Sequence, residues 1–144
     1  MKVSEAMTRD VRVASPDETI RQAAKTMARL DAGVLPVGEN DHLVGMITDR
    51  DIAIRGIAEG KGPKAKVREV MTEDVKYCFD DQEVEEVTNN MADIQVRRLP
   101  VLNRDKRLVG ILSLGDIAIS RDGNDAGEAL RGISRPGGEH TQTG

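Results

Sequence analysis

An internal repeat is the feature that most constrains this chain. Met7-Thr8 recurs as Met71-Thr72, and Leu35-Pro36-Val37 recurs as Leu99-Pro100-Val101, in both cases 64 residues later. Two later segments recur at a shift of 65 residues, Leu43-Val44-Gly45 as Leu108-Val109-Gly110 and Asp51-Ile52-Ala53-Ile54 as Asp116-Ile117-Ala118-Ile119. A unit of about 55 residues buries too little surface to be stable alone, so the two copies are expected to pack together.

Each copy carries the same predicted order of elements. In the first copy, a short strand around Val11 and Val13 leads to a helix expected to start at Ser15-Pro16-Asp17-Glu18. Apolar residues then recur at three- and four-residue steps up to a helix end near Gly33. A hairpin and a second helix beginning near Asp49 follow. The order strand, helix, strand, strand, helix predicts an α+β fold.

The predicted domain boundaries follow from the repeat and from local composition. The first domain is expected at 1–60, a linker rich in Gly, Pro and Lys at 61–66, and the second domain at 67–121. From Asp122 onward glycine is frequent and apolar residues are few, so residues 122–144 are predicted to form a flexible, disordered tail.

Composition argues against several classes of function. Lys and Arg number 21 and Asp and Glu number 25, a formal charge of −4, so the basic surface of a nucleic-acid-binding protein is not expected. The only cysteine is Cys78, no apolar run approaches the roughly 18 residues of a membrane span, and the opening residues do not resemble a signal peptide. These features predict a cytoplasmic protein with no membrane segment.

No catalytic or metal-binding set is apparent in the sequence. His42, His140 and Cys78 do not have the spacing of a zinc site. A nucleophile with an adjacent histidine base is also not evident. We therefore expect no metal and no enzyme activity.

Both copies place a hydroxyl three residues before a carboxylate, at the start of the second helix. These are Thr48 with Asp51, and Ser113 with Asp116. The pattern is typical of a helix-capping box, in which each side chain bonds the backbone of the other residue. It also fits half of a nucleotide site, because a hydroxyl at a helix start can bind phosphate and a carboxylate can accept hydrogen bonds from ribose hydroxyls. The spacing alone leaves both interpretations open.

The repeated segments taken together resemble a family. Met-Thr, Leu-Pro-Val, Leu-Val-Gly and Thr/Ser-x-x-Asp, in this order and twice over, resemble a pair of cystathionine-β-synthase-type (CBS) domains, the Bateman module, from about Val3 to Arg121. The resemblance implies two β-α-β-β-α units packed sheet to sheet about a pseudo-twofold axis. It also implies that an adenosine-containing ligand regulates a separate partner protein.

The resemblance assigns roles to residues in both copies. Ribose binding falls on Asp51 and Asp116, and phosphate binding on Thr48 and Ser113. The residues expected around adenine, for whose apolar members a plain core role stays open, are Thr8, Val11, Leu35, Pro36, Val37, Thr72, Val75, Leu99, Pro100 and Val101.

The two predicted sites differ in charge. Arg97 and Arg98 precede the Leu-Pro-Val segment of copy two, where copy one has Gly33 and Val34. The resemblance places basic phosphate contacts just before this segment, and Arg side chains form charge-assisted hydrogen bonds with phosphate, so phosphate is expected near Arg97 and Arg98. Arg50, which aligns with Gly115, is a weaker candidate for the first site.

The expected ligand is AMP, ADP or ATP, with S-adenosylmethionine or NAD as further adenosyl candidates; no cofactor in a catalytic sense is expected. We also predict a homodimer, because the aliphatic helices leave apolar faces to cover. The alternative is a module that dimerises and binds partners without a ligand, its Thr/Ser-x-x-Asp segments serving only as helix caps.

Overall fold

The computed structural model describes residues 1–9, 11–120 and 123–136. Its helices and strands are α1 (Val3–Ala6), α2 (Ile20–Leu30), β1 (Val34–Glu39), β2 (His42–Thr48), α3 (Asp49–Asp51), β3 (Cys78–Phe79), α4 (Val84–Ile94), β4 (Arg98–Leu102), β5 (Leu108–Ser113), α5 (Leu114–Ser120) and α6 (Gly123–Ile133). A π-helical stretch, Ile52–Ile57, continues α3, and a short 3-10 helix spans Val67–Glu69. This mixture of helices and two small sheets confirms the α+β class.

The chain forms two compact units, and their boundaries do not coincide with the sequence copies. Unit I is Arg12–Val75, and unit II combines Met1–Val11 with Lys76–Gly144. The opening segment of copy one therefore belongs to the unit built on copy two. The opening Met-Thr segment of copy two belongs to the unit built on copy one.

Each core shows this exchange. Val67, Val70 and Met71 are buried in unit I with residues of α2, β1 and β2. Val3 and Met7 are buried in unit II with residues of α4, β4 and β5. Each fully buried aliphatic side chain contributes about 1.5–3 kcal/mol through the hydrophobic effect, so burial holds the exchanged segments in place.

In both units the central sheet is an antiparallel hairpin. In unit I, β1 pairs with β2, with Val34 opposite Thr48. In unit II, β4 pairs with β5, with Arg98 opposite Ser113, and β3 runs parallel to β4 on its other side. The strand predicted around Val11 and Val13 is reduced to a single parallel bridge between Ala14 and Val37.

The start of α2 corrects the predicted cap. The helix begins at Ile20, with Thr19 as N-cap, because the Thr19 hydroxyl accepts from Gln22 N and the Gln22 amide oxygen accepts from Thr19 N. Ser15 instead closes a tight turn in which Glu18 N donates to its carbonyl. The helix ends at Leu30, before Asp31 in the left-handed conformation with φ of 51°, three residues earlier than the Gly33 end implies.

Residues 123–133 also differ from the expectation of a disordered tail, because they form α6. Ala129 and Ile133 are buried, and a Cβ on Gly132 would lie 2.7 Å from the Ala92 Cβ of α4. The Gln95 amide donates to the carbonyls of Gly132 and Arg135, at 3.0 and 2.7 Å, which satisfies acceptors at the end of α6. Small residues allow this close packing where few apolar side chains are available. Residues 137–144 of the predicted tail lie outside the described residues.

Candidate functional site

The first candidate site begins at the end of β2 in unit I. Asp51 N donates to the Thr48 hydroxyl at 3.0 Å, and Thr48 N donates to Asp51 Oδ2 at 2.9 Å. This reciprocal pair is a capping box, which satisfies two backbone donors at the helix start. The Asp51 side chain is 16% exposed, and a carboxylate has about four acceptor positions, so the cap leaves acceptor capacity at Asp51.

Unit II repeats the arrangement at the end of β5. Asp116 N donates to the Ser113 hydroxyl and Ser113 N donates to Asp116 Oδ2, both at 3.1 Å. The Thr8 hydroxyl, 108 residues away in sequence, donates to Asp116 Oδ1 at 3.3 Å. The same Thr8 is held by a backbone bridge to Ile111. Both copies thus form the same local box.

The structure regroups the two repeated threonines. Sequence order assigns Thr8 to the first site and Thr72 to the second, whereas Thr8 lies at Asp116 in unit II. Thr72 bonds to Met46 in unit I through backbone hydrogen bonds of 2.8 and 3.0 Å. Val11 and Val75 are half-buried and end the same two segments, so each belongs with its threonine.

A cation that sequence reasoning missed lies at the first site. Arg55 Nη1 donates to the Met71 carbonyl at 3.2 Å and to the Thr72 hydroxyl at 3.4 Å, and it lies 3.9 Å from Asp51 Oδ1. The four-residue spacing from Asp51 to Arg55 is the only sequence signal for this pair. The contact with Thr72 depends on the fold of unit I. The position 65 residues later is Ser120, so this cation is specific to the first copy.

The predicted phosphate-binding arginines occupy different positions. Arg98 begins β4 directly opposite Ser113, which places it on the same sheet face as the predicted phosphate hydroxyl. Arg97 precedes the strand, and its carbonyl accepts from Leu114 N at 3.0 Å. Arg50 lies in α3 between Asp49 and Asp51. All three side chains are exposed.

The Leu-Pro-Val segments lie in the strands next to these boxes. Leu35 and Val37 are buried in the core of unit I, and Leu99 and Val101 in the core of unit II. Successive residues of a strand point to opposite faces, so Pro36 and Pro100 face away from these cores. Both prolines are buried.

Metal-ligand clusters and membrane spans are absent from the described part of the chain. Within residues 1–9, 11–120 and 123–136, no three His, Cys, Asp or Glu side chains gather as they would around a metal ion. No helix in those ranges combines the length and the apolar character needed to cross a bilayer.

Similar proteins place the chain in a family. The CBS domain profile matches residues 3–55 and 67–121. CBS domain-containing protein YhcV of Bacillus subtilis is 41% identical over 133 residues, which are 92% of this chain and 94% of that protein.

Two solved structures have the same fold. The crystal structure of Hypoxic Response Protein I with two coordinated zinc ions has a TM-score of 0.76 and 37% identity, covering 84% of this chain and 99% of that one. The CBS domain pair of protein MJ0100, in complex with 5-methylthioadenosine and S-adenosyl-L-methionine, has a TM-score of 0.74 and 28% identity over 83% of this chain and 94% of that one. The repeated boxes, the matched ranges and these relatives establish that the chain belongs to the CBS domain family and carries two CBS domains.

Proposed function

We propose that this chain is a regulatory sensor that binds an adenosyl nucleotide and acts on a separate partner protein. The observation that carries the proposal is the repeated box, in which the Asp51 and Asp116 carboxylates each lie beside a hydroxyl at the start of a helix. The two carboxylates bind ribose hydroxyls, and Thr48 and Ser113 face the phosphate. The MJ0100 pair, whose ligands both carry adenosine, supports this ligand class.

The regrouped threonines define which residues surround each adenine. Thr8, Val11 and the Leu99-Pro100-Val101 segment serve the site at Asp116. Thr72, Val75 and the Leu35-Pro36-Val37 segment serve the site at Asp51. Members of each set share a unit, which supports the assignment.

Charge gives the two sites different preferences. Arg97 and Arg98 stand near Ser113, where they form charge-assisted hydrogen bonds with a phosphate chain. In unit I, Val34 occupies the position opposite Thr48, and Arg55 already faces Asp51. Phosphate-rich ligands such as ADP or ATP therefore prefer the site of unit II, with Arg50 as a further candidate cation in unit I.

The experiment that tests the function is calorimetric titration with AMP, ADP, ATP, NAD and S-adenosylmethionine. Asp51→Asn and Asp116→Asn keep an oxygen that accepts in the capping box but remove the charge that favours ribose hydroxyls. We expect one ligand to bind the wild type and to lose roughly tenfold or more in affinity in one of these variants, about 1.4 kcal/mol. Asp49→Asn, which makes the same change at the neighbouring exposed carboxylate, is the control.

The ligand-independent interaction module remains the alternative, and the homodimer is common to both proposals. Exposed Ile54 and Ile57 in unit I and Ile119 in unit II provide apolar helix surface for a second copy. Light scattering should give twice the chain mass of 15.7 kDa. A dimer that binds none of the five ligands would favour the alternative, and a monomer at micromolar concentration would refute the dimer.

A further inference from the structure

A basic groove lies in unit I and is lined by neither residue of that unit's capping box. One wall is Arg12, Val13 and Ala14, the other is the outer side of α2, and Leu35 lies at its base. The groove encloses about 320 Å³, at the small end of the range for ligand pockets. Thr48, Asp51, Arg55 and Thr72 do not line it.

The residues that α2 contributes form one stripe. Gln22, Lys25, Thr26 and Arg29 stand at helical spacings of three and four residues, while Ile20, Ala23 and Met27 face the core. Lys25 and Arg29 therefore lie on one face of the helix and line the same groove as Arg12. Two cations on one wall and one on the other can contact an anion from both sides.

The two cations on α2 differ from several other basic residues in how their charge is compensated. Lys2, Arg68 and Arg104 each lie within 2.6 to 3.1 Å of a carboxylate. Among the described residues, by contrast, Lys25 and Arg29 contact no acidic group, and the Arg29 guanidinium donates only to the Thr26 hydroxyl at 3.4 Å. The groove has one acid, Glu18, whose Oε1 accepts from Ser15 N.

The neutral groups add hydrogen-bond donors. The amide oxygen of Gln22 is used by the Thr19 N–H and hydroxyl, so its NH₂ group is left to donate. The base of the groove is formed by Ala14 and Leu35. Both side chains are apolar, are only 3% and 2% exposed, and belong to the core of unit I. Cations above a low-dielectric base concentrate positive potential, which raises the local concentration of anions.

We propose that this groove binds the diphosphate group of a small metabolite, at a site that shares only Leu35 with the residues proposed for the adenosyl site of unit I. Arg12 binds one side of the anion, while Lys25 and Arg29 bind the other, with Gln22 donating from the same helix. Diphosphate is small enough to enter the groove, the charges of Arg12, Lys25 and Arg29 oppose its negative charge, and arginine hydrogen-bonds phosphate oxygens in a planar fork.

The test uses the full chain and inorganic diphosphate as the probe, in magnesium-free buffer, followed by calorimetry and by NMR of the backbone amides. We expect saturable binding with shifts centred on residues 12–14 and on α2. The triple variant Arg12→Gln, Lys25→Gln, Arg29→Gln should weaken it at least tenfold, or about 1.4 kcal/mol. The matched control Arg21→Gln, Lys64→Gln, Arg131→Gln removes the same charge from exposed side chains that do not line the groove.

A second titration distinguishes binding of free diphosphate from binding of the diphosphate of a nucleotide. It also distinguishes failure of this proposal from failure of the proposed function. ADP is titrated into the Asp51→Asn, Asp116→Asn variant, where binding at the groove should remain.

Equal loss of diphosphate binding in the two triple variants would mean non-specific attraction to net charge and would overturn the proposal. So would shifts confined to the capping boxes. All the residues changed in the triple variants are exposed, and unchanged thermal unfolding of each variant without ligand verifies the fold.

Discussion

The Thr8 hydroxyl donates to the Asp116 carboxylate at 3.3 Å across 108 residues of sequence. Thr72, the repeat equivalent of Thr8, lies instead at Arg55, near Asp51. The two opening Met-Thr segments have therefore exchanged places between the units. Each candidate site is built from the box of one sequence copy and the opening segment of the other.

The exchange predicts where a core substitution acts. Val3 is fully buried in unit II although it opens the first sequence copy. Val3→Ala should lower the free energy of unfolding by about 2 kcal/mol, from lost burial and the cavity left behind. Hydrogen exchange should accelerate in β4 and β5.

The matched change for unit I is Val70→Ala, because Val70 is also fully buried; it should accelerate hydrogen exchange in β1 and β2. Faster exchange of β1 and β2 in Val3→Ala would contradict the exchange of segments.

Two glycines leave space for the exchanged segments. A Cβ on Gly110 would lie 2.7 Å from the Thr8 carbonyl oxygen, and one on Gly45 would lie 2.9 Å from that of Thr72. A backbone carbonyl cannot easily move away from an added Cβ. Gly110→Ala and Gly45→Ala should therefore each lower the free energy of unfolding in urea by roughly 1–3 kcal/mol.

The control for these glycines is Gly127 in α6, where an added Cβ would meet no described atom within 4 Å. Gly127→Ala should stabilise the protein by about 0.4–1 kcal/mol, because alanine reduces the entropy of the unfolded chain. Neutral outcomes at Gly45 and Gly110 would show that the Met-Thr segments are held more loosely than these distances imply.

The buried thiol predicts a loss of stability at alkaline pH. Burial, with the Asp80 carboxylate as a second cause, raises the pKa of Cys78 to about 12. The unfolded chain loses this proton near its ordinary pKa of about 8.5, so between these values the unfolded state binds fewer protons than the native state. The free energy of unfolding therefore falls as pH rises, by up to about 1.4 kcal/mol per pH unit from this group.

Urea unfolding between pH 8 and pH 10 measures this dependence. Cys78→Ala should have lower stability at pH 8, from the cavity, but a shallower decline toward pH 10. Parallel declines in the wild type and in Cys78→Ala would rule out the thiol as a source. Native protein should also react with iodoacetamide far more slowly than unfolded protein, since the thiolate is the nucleophile.

A surface pair predicts a measurable shift at acid pH. Arg104 donates twice to Asp81, at 2.8 and 2.7 Å, and its guanidinium stacks 4.1 Å from the centre of the Phe79 ring. The hydrogen bonds from Arg104 lower the pKa of Asp81, so this contribution to stability is present at neutral pH and is lost as pH falls through the lowered pKa.

Arg104→Ala should return the pKa of Asp81 toward its ordinary value in an NMR titration. Arg104→Lys keeps the charge but loses the paired donors and the planar stack, so it should give an intermediate pKa. Asp17, whose pKa is lowered by Arg68, serves as an internal reference that should not change. An unmoved Asp81 would mean that the paired geometry does not persist in solution.

Several features were predictable because they depend on short stretches of chain. The Thr48–Asp51 and Ser113–Asp116 boxes join residues three positions apart, and both form as the pattern predicts. The predicted start of α2 was wrong since two capping patterns, Ser15-x-x-Glu18 and Thr19-x-x-Gln22, lie side by side and both form hydrogen bonds. Local capping preference therefore does not decide which of the two patterns begins the helix.

Features that depend on distant burial do not follow from local patterns. The contact of Arg55 with Thr72 requires the chain after the π-helical stretch to return to β2. The packing of α6 on α4 requires Gly132 to fit against Ala92, which no apolar periodicity indicates.

The sequence by itself determined the repeat, the α+β class, the order of elements within each copy and the two capping boxes, because periodicity and hydrogen bonds over three residues need only neighbouring residues. Only the tertiary structure decided which opening segment completes which unit, where Arg55 lies and how α6 is held. Both copies offer equivalent apolar partners, so burial between residues far apart in sequence selects among pairings that local chemistry leaves equal.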